Sequence, residues 1–388
     1  MKLIDKKNMS VTIGVAFVWF TTQFGGGFAS GAQLFQYFIA FGIWTLITPI
    51  LAQAISAVYQ WYALRYAHRH QVYDYRSFND SFYGKFAPIF SNLYEVVYLI
   101  LLCLAPSVAF ATGGATLAAL TGIPFMVCTF IIGVFIFLIT IYGTEIVRKA
   151  AATLSVIIIV GLMVVYIPNI IVQWDTIMAT IGELAAEKAP MGPAMWKSFL
   201  YFSFQLASIG LLVQHAKPFT SEKDAKTSMI YGFVVNAGVI FISTLGLLAI
   251  AKNPEIGKVS IPILLLVKNG VGSSFMTPII SMLIVLGAVS TAVNMIAGVV
   301  NRVTSQFEKP VEANANGKTK PSKLTIITTL LFVILAFGIA QFGLIPLVVK
   351  GYGYLGYVTI AVVVIPFTIH MILSKLGKVD SKETSKIA

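Results

Sequence analysis

An all-α integral membrane protein of about ten transmembrane helices, with both ends in the cytoplasm, is the fold class the sequence predicts. Three observations predict it. Of 388 residues, 57% are hydrophobic and only 11% charged, with a mean hydropathy of +0.86, which lies far outside the range of soluble domains. Apolar runs of about 18 residues or more, each long enough to cross a hydrocarbon core of about 30 Å, recur along the whole length. The basic residues gather between those runs, so the net charge of +12 reads as membrane topology and attraction to anionic lipid, not as nucleic-acid binding. The chain is read as a single transmembrane domain over residues 1–388.

The first span, residues 11–37, follows a short basic leader (Lys2, Lys6, Lys7) and has no A-x-A cleavage site, so it is a retained helix. The second, 43–64, leads into an aromatic and charged loop over 65–85. His68 and His70 stand two apart there and do not share a helix face, which speaks against a metal pair. Span three, 88–112, carries the one acid placed inside a span, Glu95, with Tyr94 and Tyr98 beside it. Spans four and five, 124–142 and 150–168, are continuous apolar runs, and the fifth holds no Lys or Arg. Span six, 196–215, contains FSFQLASIG near its middle, and span seven is 227–250. Span eight, 276–300, includes LGAVSTAVN; spans nine and ten are 324–342 and 354–374. A polar, Pro-interrupted linker covers 308–322, and the tail after Lys375 has a disordered composition. Cys103 and Cys128 both lie in apolar runs and read as buried thiols.

Orientation follows from the basic residues. With the amino terminus inside, the outer segments keep only Lys188, Lys197, Lys252, Lys258, Lys268 and Lys350 of the 27 Lys and Arg, and the opposite orientation would violate the positive-inside rule.

Two helices carry internal defects. FGGGFASG in span one places three glycines in a row, each weakening a helix by about 1 kcal/mol relative to Ala. A continuous anchor gains nothing from that. An unwound turn is one use for the exposed backbone, and a close packing face, for which Gly27 and Gly31 supply a GxxxG spacing, is the other. A dinucleotide loop fails its context, since no strand precedes it and no soluble unit surrounds it. Span six repeats the theme of a Gln followed by a short stretch with Ala-Ser. Spans one and six would be the first helices of two sets of five, and an inverted repeat brings such broken helices together at the bilayer midplane.

These features resemble the LeuT-type fold of the amino acid, polyamine and organocation superfamily. Within it, GGGFASGAQLFQYF is most similar to a motif of the bacterial YkvI-like membrane proteins. The resemblance implies a 5+5 inverted repeat, 11–168 and 196–374, with helices one and six discontinuous, and a secondary transporter in the bacterial inner membrane working by alternating access. It also implies a Na⁺ site between spans one and eight, made from Ser290 and Thr291 hydroxyls, the Gly287 carbonyl, and carbonyls near Gly25 and Phe28. Gly287, Ser290 and Thr291 share a helix face by spacing. Membrane Ser and Thr also bond the preceding turn's carbonyl, which is the alternative reading of those hydroxyls.

The expected substrate site lies at the two breaks: Gln23, Gly26, Gly27, Ala29, Ser30 and Gly31 from span one, Gln205 and Ser208 from span six, and Tyr98 from span three. A half-helix beginning at Ala29 or Ser30 would aim free N–H groups into it. With no charged residue at either break, a small zwitterion such as an amino acid, or a polar neutral solute, suits it better than a dianion. Glu95 stands open to three roles: proton coupling, an ammonium partner, or a structural pair with a nearby Arg. Na⁺ coupling leads, with proton coupling through Glu95 and a transporter-like receptor as alternatives. An enzyme would need clustered intramembrane His, Asp or Cys, and the four His have no acid at motif spacing. No ATP-binding loop and no repeated acidic or carbonyl-filter motif occurs.

Overall fold

The computed structural model describes residues 8–142, 144–307, 321–377 and 379, and side chains at 143–152, 154, 155, 301, 305 and 306 are outside the description. The basic leader, the linker over 308–320 and the end of the tail lie outside the described residues. Among the described residues every regular element is a helix, with no strand. Six helices are each long and apolar enough to cross a membrane, or nine if each of three sharply bent pairs is one span. The protein is membrane-embedded.

The first apolar stretch is divided into α1 (Met9–Gln23), the single turn α2 (Gly26–Ala29) and α3 (Ala32–Tyr37). α4 (Thr48–His70) starts later than the sequence predicts, because residues 39–46 form a tighter helix kinked at Gly42 (φ +73°). α5 (Tyr75–Tyr83) is a short amphipathic helix capped by the Asp74 carboxylate, which accepts from the Ser77 N–H at 2.9 Å. α6 (Ala87–Thr121) outruns its predicted end at 112, since nothing before Gly122 (φ +72°) stops it. α7 (Phe125–Tyr142) and α8 (Thr144–Val172) follow, and α8 bends by 78° into α9 (Trp174–Ala186). α10 (Met191–Leu206) is broken from α11 (Ile209–Leu212) with a 43° bend between the segments. α12 (Glu222–Leu247), α13 (Pro262–Asn269), α14 (Ser273–Phe307), α15 (Lys323–Ala340) and α16 (Leu344–Lys375) complete the chain.

Packing sorts these helices into an inner and an outer set. α14 lies along α6, while α12 lies along α4 and α1. α7 and α15 cover α6 from outside and present bare apolar rows, such as Met126, Phe130, Leu331 and Ile334, each more than half exposed. Such rows are a liability in water and the normal state against lipid tails.

Candidate functional site

Both glycine-rich and Ala-Ser stretches are where the helices stop. α1 ends as the Phe24 N–H reaches back to the Phe20 carbonyl at 2.8 Å, and Gly25 is extended (φ −91°, ψ 179°), its N–H bonded to the Gln23 carbonyl at 2.9 Å. After one turn, Gly31 adopts φ +81°, a conformation that disfavours any side chain. The second half-helix thus begins at Gly26 and is itself interrupted, where the sequence reading put one start at Ala29 or Ser30. The Ser30 side chain is used locally: it donates to the Gly27 carbonyl at 3.0 Å and accepts from the Ala32 N–H at 3.2 Å. Its carbonyl accepts from the Ile263 N–H at 3.2 Å, which ties the break to α13.

The α10–α11 break is held by a residue on another helix. Tyr94 of α6 donates its hydroxyl to the Ala207 carbonyl at 3.1 Å and accepts from the Gly210 N–H at 2.7 Å. One side chain thereby serves an acceptor and a donor that the interruption frees. Ser208 donates to the Gln205 carbonyl at 2.7 Å.

Between the breaks is a cavity of about 30 Å³. Its polar lining is Thr22, Gln23, Gln33, Gln205, Ser208 and Thr291, with Gly25 at the turn itself. Leu101 and Ala105 of α6, Met295 of α14, and the rings of Phe204 and Tyr352 supply apolar walls. Those two rings stack with centroids 4.7 Å apart and planes 13° from parallel. No charged residue is among the described residues of the lining. Gln23 is 4% exposed, and neither amide atom has a hydrogen-bond partner among the described residues.

The expected site residues separate into three groups. Gln23, Gln205 and Ser208 line the cavity, as do Gly25 and Thr291 from the expected ion site. Gly26, Gly27, Ala29, Ser30 and Gly31 shape the loop instead of lining the cavity. Tyr98 is also outside the cavity lining and stacks on Tyr75 with centroids 5.1 Å apart. Gln33 and Tyr352 were not expected, nor was the part Tyr94 plays at the second break. Gln33, a carboxamide in an apolar run, was the one with a visible signal in the sequence.

For a cation, the face of α14 that carries Gly287 and Thr291 packs on the first break. A Cβ at Gly25 would stand 3.8 Å from Thr291 Cγ2, and one at Gly287 3.2 Å from Phe24 Cε1. The Thr291 hydroxyl donates to the Gly287 carbonyl at 2.9 Å. That bond turns the oxygen lone pairs outward, which suits a hard cation, but it makes Gly287 itself a poor ligand. The Gly25 carbonyl already accepts from the Phe28 and Ala29 N–H groups at 3.1 and 3.0 Å, and the Phe28 carbonyl from Gly31 at 2.9 Å. Ser290 is half-buried and outside the cavity lining. Of the expected cation ligands, only the Thr291 hydroxyl both lines the cavity and keeps its oxygen free to accept, since the Gly25, Gly287 and Phe28 carbonyls are already in hydrogen bonds and Ser290 is outside the lining.

Glu95 sits apart from the cavity. It forms an ion pair with Arg302 and accepts from the Tyr75 hydroxyl at 2.8 Å, while the Arg302 guanidinium lies 4.6 Å from the Tyr75 ring centre. Arg302 belongs to α14, which continues past the predicted end of span eight at 300. Along α6 the order is Glu95, then the cavity residues Leu101 and Ala105, then Ala115 to Leu120; along α14 it is reversed, with Arg302, Met295 and Thr291, then Thr277 and Ser273. The last group of each helix lines a second, open cavity of about 910 Å³ that also involves Lys258 and Lys268. The small cavity therefore lies between an ion pair and a vestibule.

No protein-family model matches the chain, and no curated protein matches it.

Proposed function

We propose that this protein is a secondary active transporter of the LeuT type, a relative of the YkvI-like membrane proteins, carrying a small amino acid or a related polar solute by alternating access. The observation that carries the reading is the meeting of two interrupted helices at an uncharged, buried cavity, which is where inverted-repeat transporters bind their substrates. Counting the divided stretch from Met9 to Tyr37 as a span adds one to the nine, and the count becomes ten. The cavity is then built from spans one, three, six, eight and ten, with span one and span six as the first helices of each five-helix half. The vestibule is the outer entrance, and the Glu95–Arg302 pair closes the cytoplasmic side. Both termini are cytoplasmic, in keeping with the distribution of Lys and Arg. Na⁺ is the coupling ion of the leading reading, with the Thr291 hydroxyl as its side-chain ligand at the first break.

Proton coupling through Glu95 is the second reading. It is supported by the place of Glu95 in a network with Arg302 and Tyr75 at one end of the pathway. Purified protein in proteoliposomes tests both. Uptake of a small polar solute driven by a Na⁺ gradient, and absent with a proton gradient alone, is expected; uptake that follows only the proton gradient moves the coupling site to Glu95. No uptake of any small polar solute under either gradient leaves a receptor.

A further inference from the structure

Three carboxamides converge on the cavity, and their chemistry narrows the ligand. Gln33 is 3% exposed and its Oε1, like both amide atoms of Gln23, has no hydrogen-bond partner among the described residues; Gln205, 7% exposed, lines the same space. Leaving such groups unpartnered in a membrane interior is costly, by about 1–3 kcal/mol for each in protein mutational data. A sequence under no other demand would place Leu there. Their retention points to a molecule that completes them.

We infer that the cavity binds an uncharged solute whose polar end is a planar amide or ureido group. This rests on the transporter reading only for the ligand's route. A carboxamide presents a donor and an acceptor side by side, so its complement is a group with an acceptor next to a donor, the same matching by which Asn and Gln read one edge of adenine. An ammonium would find no opposite charge among the described lining residues, a carboxylate would find none but a coupling cation at Thr291, and an ion held without a partner is far more costly than a neutral amide. The short helices α2 and α3, of four and six residues, supply no substantial dipole in its place. The stacked Phe204 and Tyr352 rings add an apolar wall beside the carboxamides. A volume of about 30 Å³ has room for roughly two waters, and so for a polar end of a few heavy atoms.

The test is thermal stability of the purified full chain in lipid nanodiscs, titrated with acetamide, N-methylurea, glycine, propionate and ethylamine, each with and without NaCl. Saturable stabilisation by acetamide and N-methylurea, with none by the charged probes, is expected. Gln23→Leu and Gln33→Leu should each weaken the amide response about tenfold or more without lowering the ligand-free melting temperature, because they remove buried atoms, both of the Gln23 amide and the Gln33 Oε1, that have no partner among the described residues. Saturable stabilisation by glycine would overturn the inference while sparing the transporter reading. So would amide binding that neither variant weakens. If no probe stabilises the protein, the glutamines hold water only and the inference fails. If amides bind in a glutamine-dependent way but no gradient drives their accumulation in proteoliposomes, the inference stands and the transporter reading falls.

Discussion

Gly26 and Gly27 are neighbours in sequence, yet a side chain at each would meet a different obstacle. A Cβ at Gly26 would stand 2.6 Å from Thr112 Oγ1 and 2.8 Å from Thr112 Cβ, on the stiff middle of α6; one at Gly27 would first meet the flexible Gln33 side chain, 2.9 Å from Nε2 and 3.1 Å from Cγ. Gly26→Ala should therefore lower stability by about 1–3 kcal/mol, the usual cost of overpacking, and Gly26→Leu should abolish uptake while the chain still inserts. Gly27→Ala should leave the melting temperature nearly unchanged and weaken ligand binding by displacing Gln33. A melting curve and a ligand titration on each variant separate the two, and equal effects would mean the glycines act only as a shared packing face. At Thr291 the same reasoning concerns the ion. Thr291→Val should raise the Na⁺ midpoint by roughly 5- to 150-fold, from a loss of about 1–3 kcal/mol, and substrate affinity at fixed Na⁺ must fall with it because coupling is reciprocal. Ser290→Ala, outside the lining, should change it less. An unchanged midpoint in Thr291→Val would remove the site.

At the scale of elements, the α10–α11 break depends on α6. The Tyr94 hydroxyl serves the Ala207 carbonyl and the Gly210 N–H at once, so Tyr94→Phe leaves both without that partner in a buried setting. Destabilisation of about 1–3 kcal/mol is expected, read as a lower melting temperature, and a Phe variant as stable as the parent would show that the break holds itself. The presence of Tyr94 was legible as an aromatic on span three, but its role was not, because its partners lie 113 and 116 positions away. The Glu95–Arg302 pair makes the same point: the acid was visible in the sequence, while Arg302 read as a loop residue because α14 runs further than its apolar pattern. The two side chains are 20% and 29% exposed, so losing one partner should cost less than the roughly 3–5 kcal/mol of a fully buried pair. Glu95→Gln should be matched in stability by the double variant Glu95→Gln with Arg302→Gln if the pair is purely structural. Loss of proton-driven uptake in Glu95→Gln alone, with Na⁺-driven uptake absent in the parent, would instead give Glu95 the coupling role.

For the whole molecule, the proposed topology places Lys188 and Lys258 outside and Lys223 inside, and all three are exposed. Cysteines introduced there, in a chain from which Cys103 and Cys128 have been removed, should react with an impermeant reagent in sealed cells at 188 and 258 but not at 223; the reverse pattern would overturn the orientation. The sequence by itself determined that this is a helical membrane protein and where two of its helices are weak. Both follow from local chemistry: about 20 apolar residues in a row demand a membrane, and consecutive glycines destabilise a helix wherever it is placed. Only the tertiary structure decided that Gln33 and Thr291 face the same cavity as Gln23 and Gln205, that Ser30 and Tyr98 are turned to other uses, and that Tyr94 bridges the second break. Inside a bilayer the apolar outward faces look alike in sequence, so periodicity cannot say which helix each polar side chain will meet. That choice belongs to helix packing, which depends on contacts between residues a hundred or more positions apart.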